Sequence, residues 1–393
     1  MTDKTAKTFL NRIGRRIKTS AAGESVLAYL PPPLPPDPPL NLTHLLLLHE
    51  RAIQALGRLD GVAEILPDKA LFLYQYVRKE ALLSSQIEGT QSSFSDLLLH
   101  ELAEVPGVPL DDVSEVSAYI AAIDHGLKRL GEGFPLSLRL LREIHGILLA
   151  TGRGKDKLPG EFRQSQNWIG GSRPGNALFV PPPADHLMDC LDAFEKFLHE
   201  TDSGLPTLLK AGLAHVQFET IHPFLDGNGR LGRLMITLLL CHAGLMKQPI
   251  FYLSLYFKAH RATYYQLLDE VRMNGVWETW LEFFLEGVIE TATEAQATAK
   301  RILALVQEDG QRTIALGRGA RNAHRVLDLL QEHPILTIQW VSDKLGITHT
   351  TAAAAFQNLM TLGIVEEITG RRRSRLFAYR EYLEILSEGA DPL

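Results

Sequence analysis

Only two cysteines, Cys190 and Cys241, occur in the 393 residues. That excludes a disulfide framework and a cysteine-based zinc site, and it suits a reducing compartment, the cytoplasm. Long apolar runs are missing too. The longest, near 234–246, is broken by His242 and is shorter than the roughly 20 residues that cross a bilayer, so no membrane contact is expected. Positive charge is not in excess: a net charge of −6 gives the whole chain no attraction for nucleic acid or anionic lipid, so any such binding must be local. Neither G-x-x-x-x-G-K-[ST] nor H-E-x-x-H occurs, which removes a P-loop and the commonest hydrolytic zinc motif.

The length exceeds what one core usually encloses, and 45% apolar content is ordinary for a globular chain, so two or three domains are expected. The first residues carry Lys4, Lys7, Arg12, Arg15, Arg16 and Lys18 with no apolar stretch behind them, which reads as a solvated basic tail rather than a signal peptide.

What is present concentrates between His222 and Arg233, in the run His-Pro-Phe-Leu-Asp-Gly-Asn-Gly-Arg-Leu-Gly-Arg. Gly227, Asn228 and Gly229 tolerate backbone angles closed to bulkier residues and precede an apolar helical run over 231–240. Free N–H groups at that helix start favour a phosphate, and Arg230 and Arg233, three apart, project from one face of its first turn. Asp226 just before them can hold Mg²⁺ against the same phosphates. Gly227, Gly229 and Gly232 also satisfy G-x-G-x-x-G, but a dinucleotide fold needs a strand before the turn and an acid about 20 residues after it. Residues 208–219 read as helix, and no Asp or Glu lies between Asp226 and Asp269.

His222-Pro-Phe-x-Asp-Gly-Asn-Gly-Arg-x-x-Arg233 resembles the signature of the Fic family. The resemblance implies a mainly α-helical fold with a short β-hairpin flap, and transfer of AMP from ATP to a protein hydroxyl. It implies that His222 is the catalytic base, that Asp226 holds Mg²⁺, and that Asn228 with the Gly227 and Gly229 amides holds the α-phosphate. Arg230 then faces the β-phosphate and Arg233 the γ-phosphate, with Gly232 in the same loop. Phe224 is expected to anchor the loop in the core. Ser84-Ser-Gln-Ile-Glu88-Gly89 matches the inhibitory pattern [ST]-x-x-x-E-[GN] of Fic proteins, so Ser84 and Glu88 are expected to oppose Arg233. A carboxylate in the last turn of a helix meets the negative end of its dipole, and a guanidinium there relieves it. In some relatives the same glutamate assists AMP removal.

Around this stretch, residues 31–39, rich in proline, read as an extended packed lead-in to a first helix over 42–56; an interaction-domain ligand is the rival reading. Helices are expected over 68–87, 93–104, 112–130, 136–149, 253–271 and 277–304. Between 159 and 183 the pattern turns to a hairpin whose segment 167–181 could register a target protein beside the phosphate site, as in the family. Tyr264 and Tyr265 are weak candidates to face the nucleotide base, since helical aromatics are usually core.

From 321 on, three short helices and two alternating strands around an arginine-rich turn, Arg371 to Arg375, resemble a winged helix-turn-helix, a small α+β module. DNA contact through 321–380 is open, as are protein docking and a homodimer. The presumed recognition helix has no Lys or Arg, and from 300 on twelve Lys/Arg meet eleven Asp/Glu. The expected organisation is therefore an amino-terminal helical region over 1–110, a catalytic domain over 111–305 and the small module over 321–393. A transcription regulator that only senses a nucleotide, and transfer of UMP or phosphocholine, stay as alternatives.

Overall fold

The computed structural model describes residues 10–64, 69–101, 110–201, 204–371 and 374–392. The chain is mostly helical, and its centre is a helix with no polar face. Helix α7 (Thr207–Ile221) is buried from Leu208 to Ile221 at every position but Lys210; apolar and small residues predominate, with His215, Gln217, Glu219 and Thr220 buried among them. It packs against α8 (Asn228–His242), and the signature forms the loop between them.

The helices α1 (Leu46–Glu64), α2 (Lys69–Ile87), α3 (Phe94–Glu101), α4 (Leu110–Gly131) and α5 (Leu138–Leu148) precede that pair. Helix α4 covers α5 and α8, and α2 packs on α4, which places the end of α2 beside the start of α8. Helix α6 (Leu187–His199) backs α7. The single helix expected over 253–271 is two, α9 (Ser254–Ala259) and α10 (Arg261–Asn274), divided at His260. Helix α11 (Trp277–Ile314) runs ten residues past the expected stop at 304 and holds α1 along its length.

The amino-terminal expectation needs correction. Residues 10–30 are not a solvated tail: β1 (Arg15–Ala21) and β2 (Glu24–Leu30) pair antiparallel across a two-residue turn with positive φ at Ala22 and Gly23. Arg12 is buried, pairs with Glu278 at 2.7 Å and donates to the carbonyls of Pro38 and Pro39. The proline-rich segment is a packed lead-in, with Gln217 of α7 donating to the Pro32 carbonyl at 2.8 Å. The first helix starts at Leu46, four residues later than expected.

The hairpin expected over 159–183 is reduced to one bridge, Ile169 with Phe179, closed by hydrogen bonds of 2.8 to 3.1 Å. Tyr29 of β2 donates its N–H to Val180, so the amino-terminal strands extend this flap, with Ala21, Val26, Ala28 and Val180 as a small apolar core.

The last part comprises α12 (Ala320–Glu332), β3 (Ile335–Thr337), α13 (Ile338–Leu345), α14 (His349–Thr361), β4 (Val365–Glu367), β5 (Leu376–Tyr379) and α15 (Arg380–Ser387). The strands form an antiparallel sheet in the order β3-β5-β4. Strand β3 and helix α15 were not expected from the sequence. Arg372 and Arg373 of the arginine-rich turn lie outside the described residues, as do the expected helix start at Pro67 and Asp68 and the break at Pro106 and Gly107. This part is docked on α2: Gln86 donates to the Ala390 carbonyl at 2.9 Å and Gln75 to that of Glu332 at 3.3 Å. Cys190 and Cys241 are free thiols. Among the described residues no helix is long and apolar enough to cross a membrane.

Candidate active site

Helix α7 ends at His222, whose φ of 49° is left-handed. That conformation costs a side-chain-bearing residue about 1 kcal/mol, so neighbours must hold it. Arg163 does so. Its Nε donates to the His222 carbonyl at 2.9 Å, and its other nitrogens reach the carbonyls of Ser165, Pro182 and Ile221. The guanidinium is buried against backbone carbonyls that belong to both the flap and the signature loop, and burial pushes its pKa down to about 10. Sequence reading missed Arg163 because a role made wholly of backbone carbonyls leaves no motif.

Pro223 bars further helix, and Phe224, fully buried as expected, stacks on His145 at 3.7 Å. The Gly160 N–H donates to Nδ1 of His145, which fixes the tautomer: Nε2 carries the proton and donates to the Asp226 carbonyl at 3.0 Å. Burial lowers the pKa of His145 to about 4, so it stays neutral. It was missed as well, lying some eighty residues from the loop it braces.

Asn228 also braces the loop: its side chain accepts from the Phe224 N–H and donates to the Phe224 carbonyl, both at 2.9 Å, which leaves its second amide N–H uncommitted. The Gly227 amide is also engaged, donating to Asp226 at 2.6 Å. Gly229, at the start of α8, lies against the Glu88 carboxylate, which a Cβ there would overlap. Gly232 faces the other way: a Cβ would stand 2.7 Å from Glu219 on α7, so its smallness serves helix packing rather than a nucleotide.

The two signature arginines are both buried and both paired. Arg230 meets Glu115 of α4 at 2.7 Å and Asp226 at 3.5 Å. Glu115 was not anticipated, since nothing local marks it. Arg233 meets the expected partners: its Nε donates to the Ser84 hydroxyl, and Nη2 to the Ser84 carbonyl and to Glu88 Oε1 at 2.8 Å. Burial alone would raise the Glu88 pKa, but the charge and hydrogen bond of Arg233 outweigh it and keep the carboxylate ionised. Arg261 and Arg153 take the carbonyls of Ile87 and Glu88, so cations cap the end of α2.

Tyr264 does not face a nucleotide: it is buried, with its hydroxyl 2.8 Å from Nε2 of His215. Tyr265 is partly exposed beside the end of α2, with Arg261 over its ring at 5.5 Å. The His222 pKa falls to about 3 through burial, then through Arg272 and Arg163. Its Nδ1 has no hydrogen-bond partner among the described residues. Asp226 is about one-third exposed. Among the described residues no three His, Cys, Asp or Glu side chains gather around a point that could hold a metal. A lone accessible carboxylate does fit Mg²⁺ that arrives with phosphates and keeps its waters, since that ion rarely needs an all-protein cage.

A buried helix pair whose connecting loop carries a neutral histidine, an accessible carboxylate and two arginines defines a helical protein built around an arginine-bearing glycine turn. Residues 46–128 match the Fic/DOC family N-terminal model and residues 135–240 the Fic/DOC family model. The chain belongs to the Fic/DOC family. It is 30% identical over 206 residues to the protein adenylyltransferase Fic of Drosophila yakuba, covering 50% of this chain and 39% of that one. It is 32% identical over 161 residues to that of Drosophila virilis, covering 40% and 31%. The chain thus spans less than half the length of these curated relatives. Its fold is similar to that of a Fic family protein from Desulfovibrio desulfuricans, with a TM-score of 0.56 and 20% identity over 86% of this chain and 96% of that one. A Fic domain-containing signalling protein from Bacteroides thetaiotaomicron aligns with a TM-score of 0.51 and 20% identity, over 64% and 97%.

Proposed function

We propose that the protein is an adenylyltransferase that moves AMP from ATP to a Ser, Thr or Tyr hydroxyl of a target protein or of itself, and that Glu88 restrains it. His222 takes the hydroxyl proton, the oxygen attacks the α-phosphorus, and the bond from that phosphorus to the bridging oxygen breaks as pyrophosphate leaves. The observation that carries this reading is the Arg233–Glu88 pair at the mouth of α8: a carboxylate rests against Gly229, where a phosphate would be cradled. A base beside that cradle is superfluous for sensing alone, which favours transfer over a nucleotide-sensing regulator.

The low basicity of His222 suits an idle form, because the negative charge of a bound triphosphate raises the pKa of an adjacent imidazole toward working pH. Mg²⁺ held at Asp226 would neutralise phosphate charge. Arg233 can serve Glu88 or a γ-phosphate but not both, so with Glu88 seated the α-phosphate is misaligned for attack. A target segment pairs along 167–181, where β2 already flanks the flap on the Val180 side. We read the last part as a winged helix from its element order and sheet; DNA through 321–380 or a second copy of the chain are its candidate partners.

Incubating the purified protein with labelled ATP, UTP and Mg²⁺ in cell extract, then measuring which proteins gain mass, tests the reading. Gain of an adenylyl group supports it; gain of a uridylyl group corrects the donor; no gain with parent or Glu88→Gly protein overturns it.

A further inference from the structure

We propose that Arg153 is a third guanidinium of the nucleotide site, one that leaves the end of α2 to take a distal phosphate oxygen when the Glu88 carboxylate is displaced. This rests on the nucleotide reading above. The loop after α5 runs Thr-Gly-Arg-Gly, and positive φ at Gly152 and Gly154, 72° and 90°, turns it into the site. Its approach is tight: a Cβ on Gly154 would lie 2.9 Å from Oδ2 of Asp226. Arg153, held between the two glycines, donates to the Glu88 carbonyl at 2.9 Å and lies 3.5 Å from Oε1 of Glu115.

Arg230, Arg233 and Arg153 differ in what holds them. Arg230 and Arg233 are each 1% exposed and hold a carboxylate at 2.7 and 2.8 Å. Arg153 is 47% exposed, its hydrogen-bond acceptor is a neutral carbonyl, and its carboxylate contact is the longer one, to a Glu115 oxygen already committed to Arg230. A phosphate oxygen is a stronger acceptor than a carbonyl, and charge-assisted bonds are about twice as strong as neutral ones. An exposed side chain can also exchange partners with little desolvation cost, which the two buried arginines cannot. The Glu88 carboxylate already occupies the position of an anion and reports which cations face it: Arg233 first, then Arg230 and Arg153. A triphosphate that removes Glu88 from Arg233 brings charge to the place where Arg153 ends.

The competing role is a latch: Arg153 would only secure the end of α2 and thereby keep Glu88 seated. The two roles give opposite signs. Isothermal titration of ATP, ADP and AMP with Mg²⁺ into Glu88→Gly protein, with and without Arg153→Ala, is paired with transfer rates of Arg153→Ala and Arg153→Lys in the otherwise unchanged chain. Loss of a charged hydrogen bond weakens ATP about tenfold and leaves AMP unchanged, and Arg153→Ala slows transfer while Arg153→Lys keeps part of it. Unchanged ATP affinity, or faster transfer by Arg153→Ala as for Glu88→Gly, overturns the proposal in favour of the latch. Failure of Glu88→Gly itself to bind ATP overturns the nucleotide reading and is told apart because it precedes any change at Arg153.

Discussion

Arg233 and Glu88, 145 positions apart, meet at 2.8 Å while the same guanidinium holds both the hydroxyl and the carbonyl of Ser84 one turn earlier. The arginine is thus fixed at two points of α2, so loosening either end frees it in part. Ser84→Ala removes the Nε bond but leaves the charge pair, and a neutral hydrogen-bond partner lost is worth about 1 kcal/mol. Severalfold faster self-modification is expected, well short of the effect of Glu88→Gly. Timed incubation with ATP and intact-mass measurement checks the order of the two variants.

On the proposed mechanism, His222→Ala removes the base and no phosphate contact. Transfer should vanish while ATP affinity with Mg²⁺ stays within about threefold of the Glu88→Gly parent, measured in that background; equal labelling with and without His222 would remove it from the chemistry. Asp226→Ala should instead lose the part of ATP affinity that depends on Mg²⁺.

Arg163 connects flap and base through carbonyls alone, so Arg163→Met strands several buried acceptors at once. Unfolding in urea should show a loss of about 3 kcal/mol, and Arg163→Lys a partial rescue, because one ammonium cannot reach the carbonyls of His222, Ser165 and Pro182 together. In the surviving folded fraction of Arg163→Lys, kcat should fall more than KM for ATP, as His222 loses its fixed angle.

Buried Glu80 accepts from the Ser254 N–H and hydroxyl, yet burial raises its pKa to about 7. A folded-state pKa above the unfolded value means that the folded chain binds the extra proton. Its contribution is fully present below about pH 4.5 and is lost as pH rises through about 7. Glu80→Gln cannot ionise, so relative to the parent it should gain stability between those pH values, by up to about 3 kcal/mol at pH 8. Buried His215, with its pKa lowered to about 3 by burial, works in the opposite direction and costs stability as pH falls below 6.5. Thermal unfolding of parent and variant from pH 5 to 8 tests the sign; a constant difference across that range contradicts it.

The residues of the candidate site were legible because they are local. The residues from His222 to Arg233 are continuous in sequence, and Ser84 lies in the last turn of α2 with Glu88 directly after it. What was not legible acts across the chain. His145, Arg163 and Glu115 brace the loop through backbone carbonyls or a distant ion pair, and no local spacing announces such roles. Asn228 carries a second role that its type does not announce, since four-residue spacing lets its side chain bond both the N–H and the carbonyl of Phe224. The amino-terminal strands were hidden by their charges: Arg15, Arg16 and Lys18 sit on an open face or edge, while the Ala22–Gly23 turn lacks the Asn-Gly pair that usually marks a hairpin. Tyr264 shows the general tendency of helical aromatics toward the core overruling its nearness in sequence to Arg261.

On the proposed reading, this chain transfers a nucleotidyl group and Glu88 holds it back through Arg233. Intact-mass spectrometry of the purified chain after incubation with ATP and Mg²⁺, comparing parent, Glu88→Gly and Glu88→Gly with His222→Ala, tests it most directly. Adenylylation at least about tenfold faster in Glu88→Gly than in the parent, and absent from the double variant, is the predicted result, since a charged hydrogen bond removed is worth about 1.4 kcal/mol or more. Glu88→Gly protein that gains no adenylyl mass faster than the parent at any ATP concentration would contradict it.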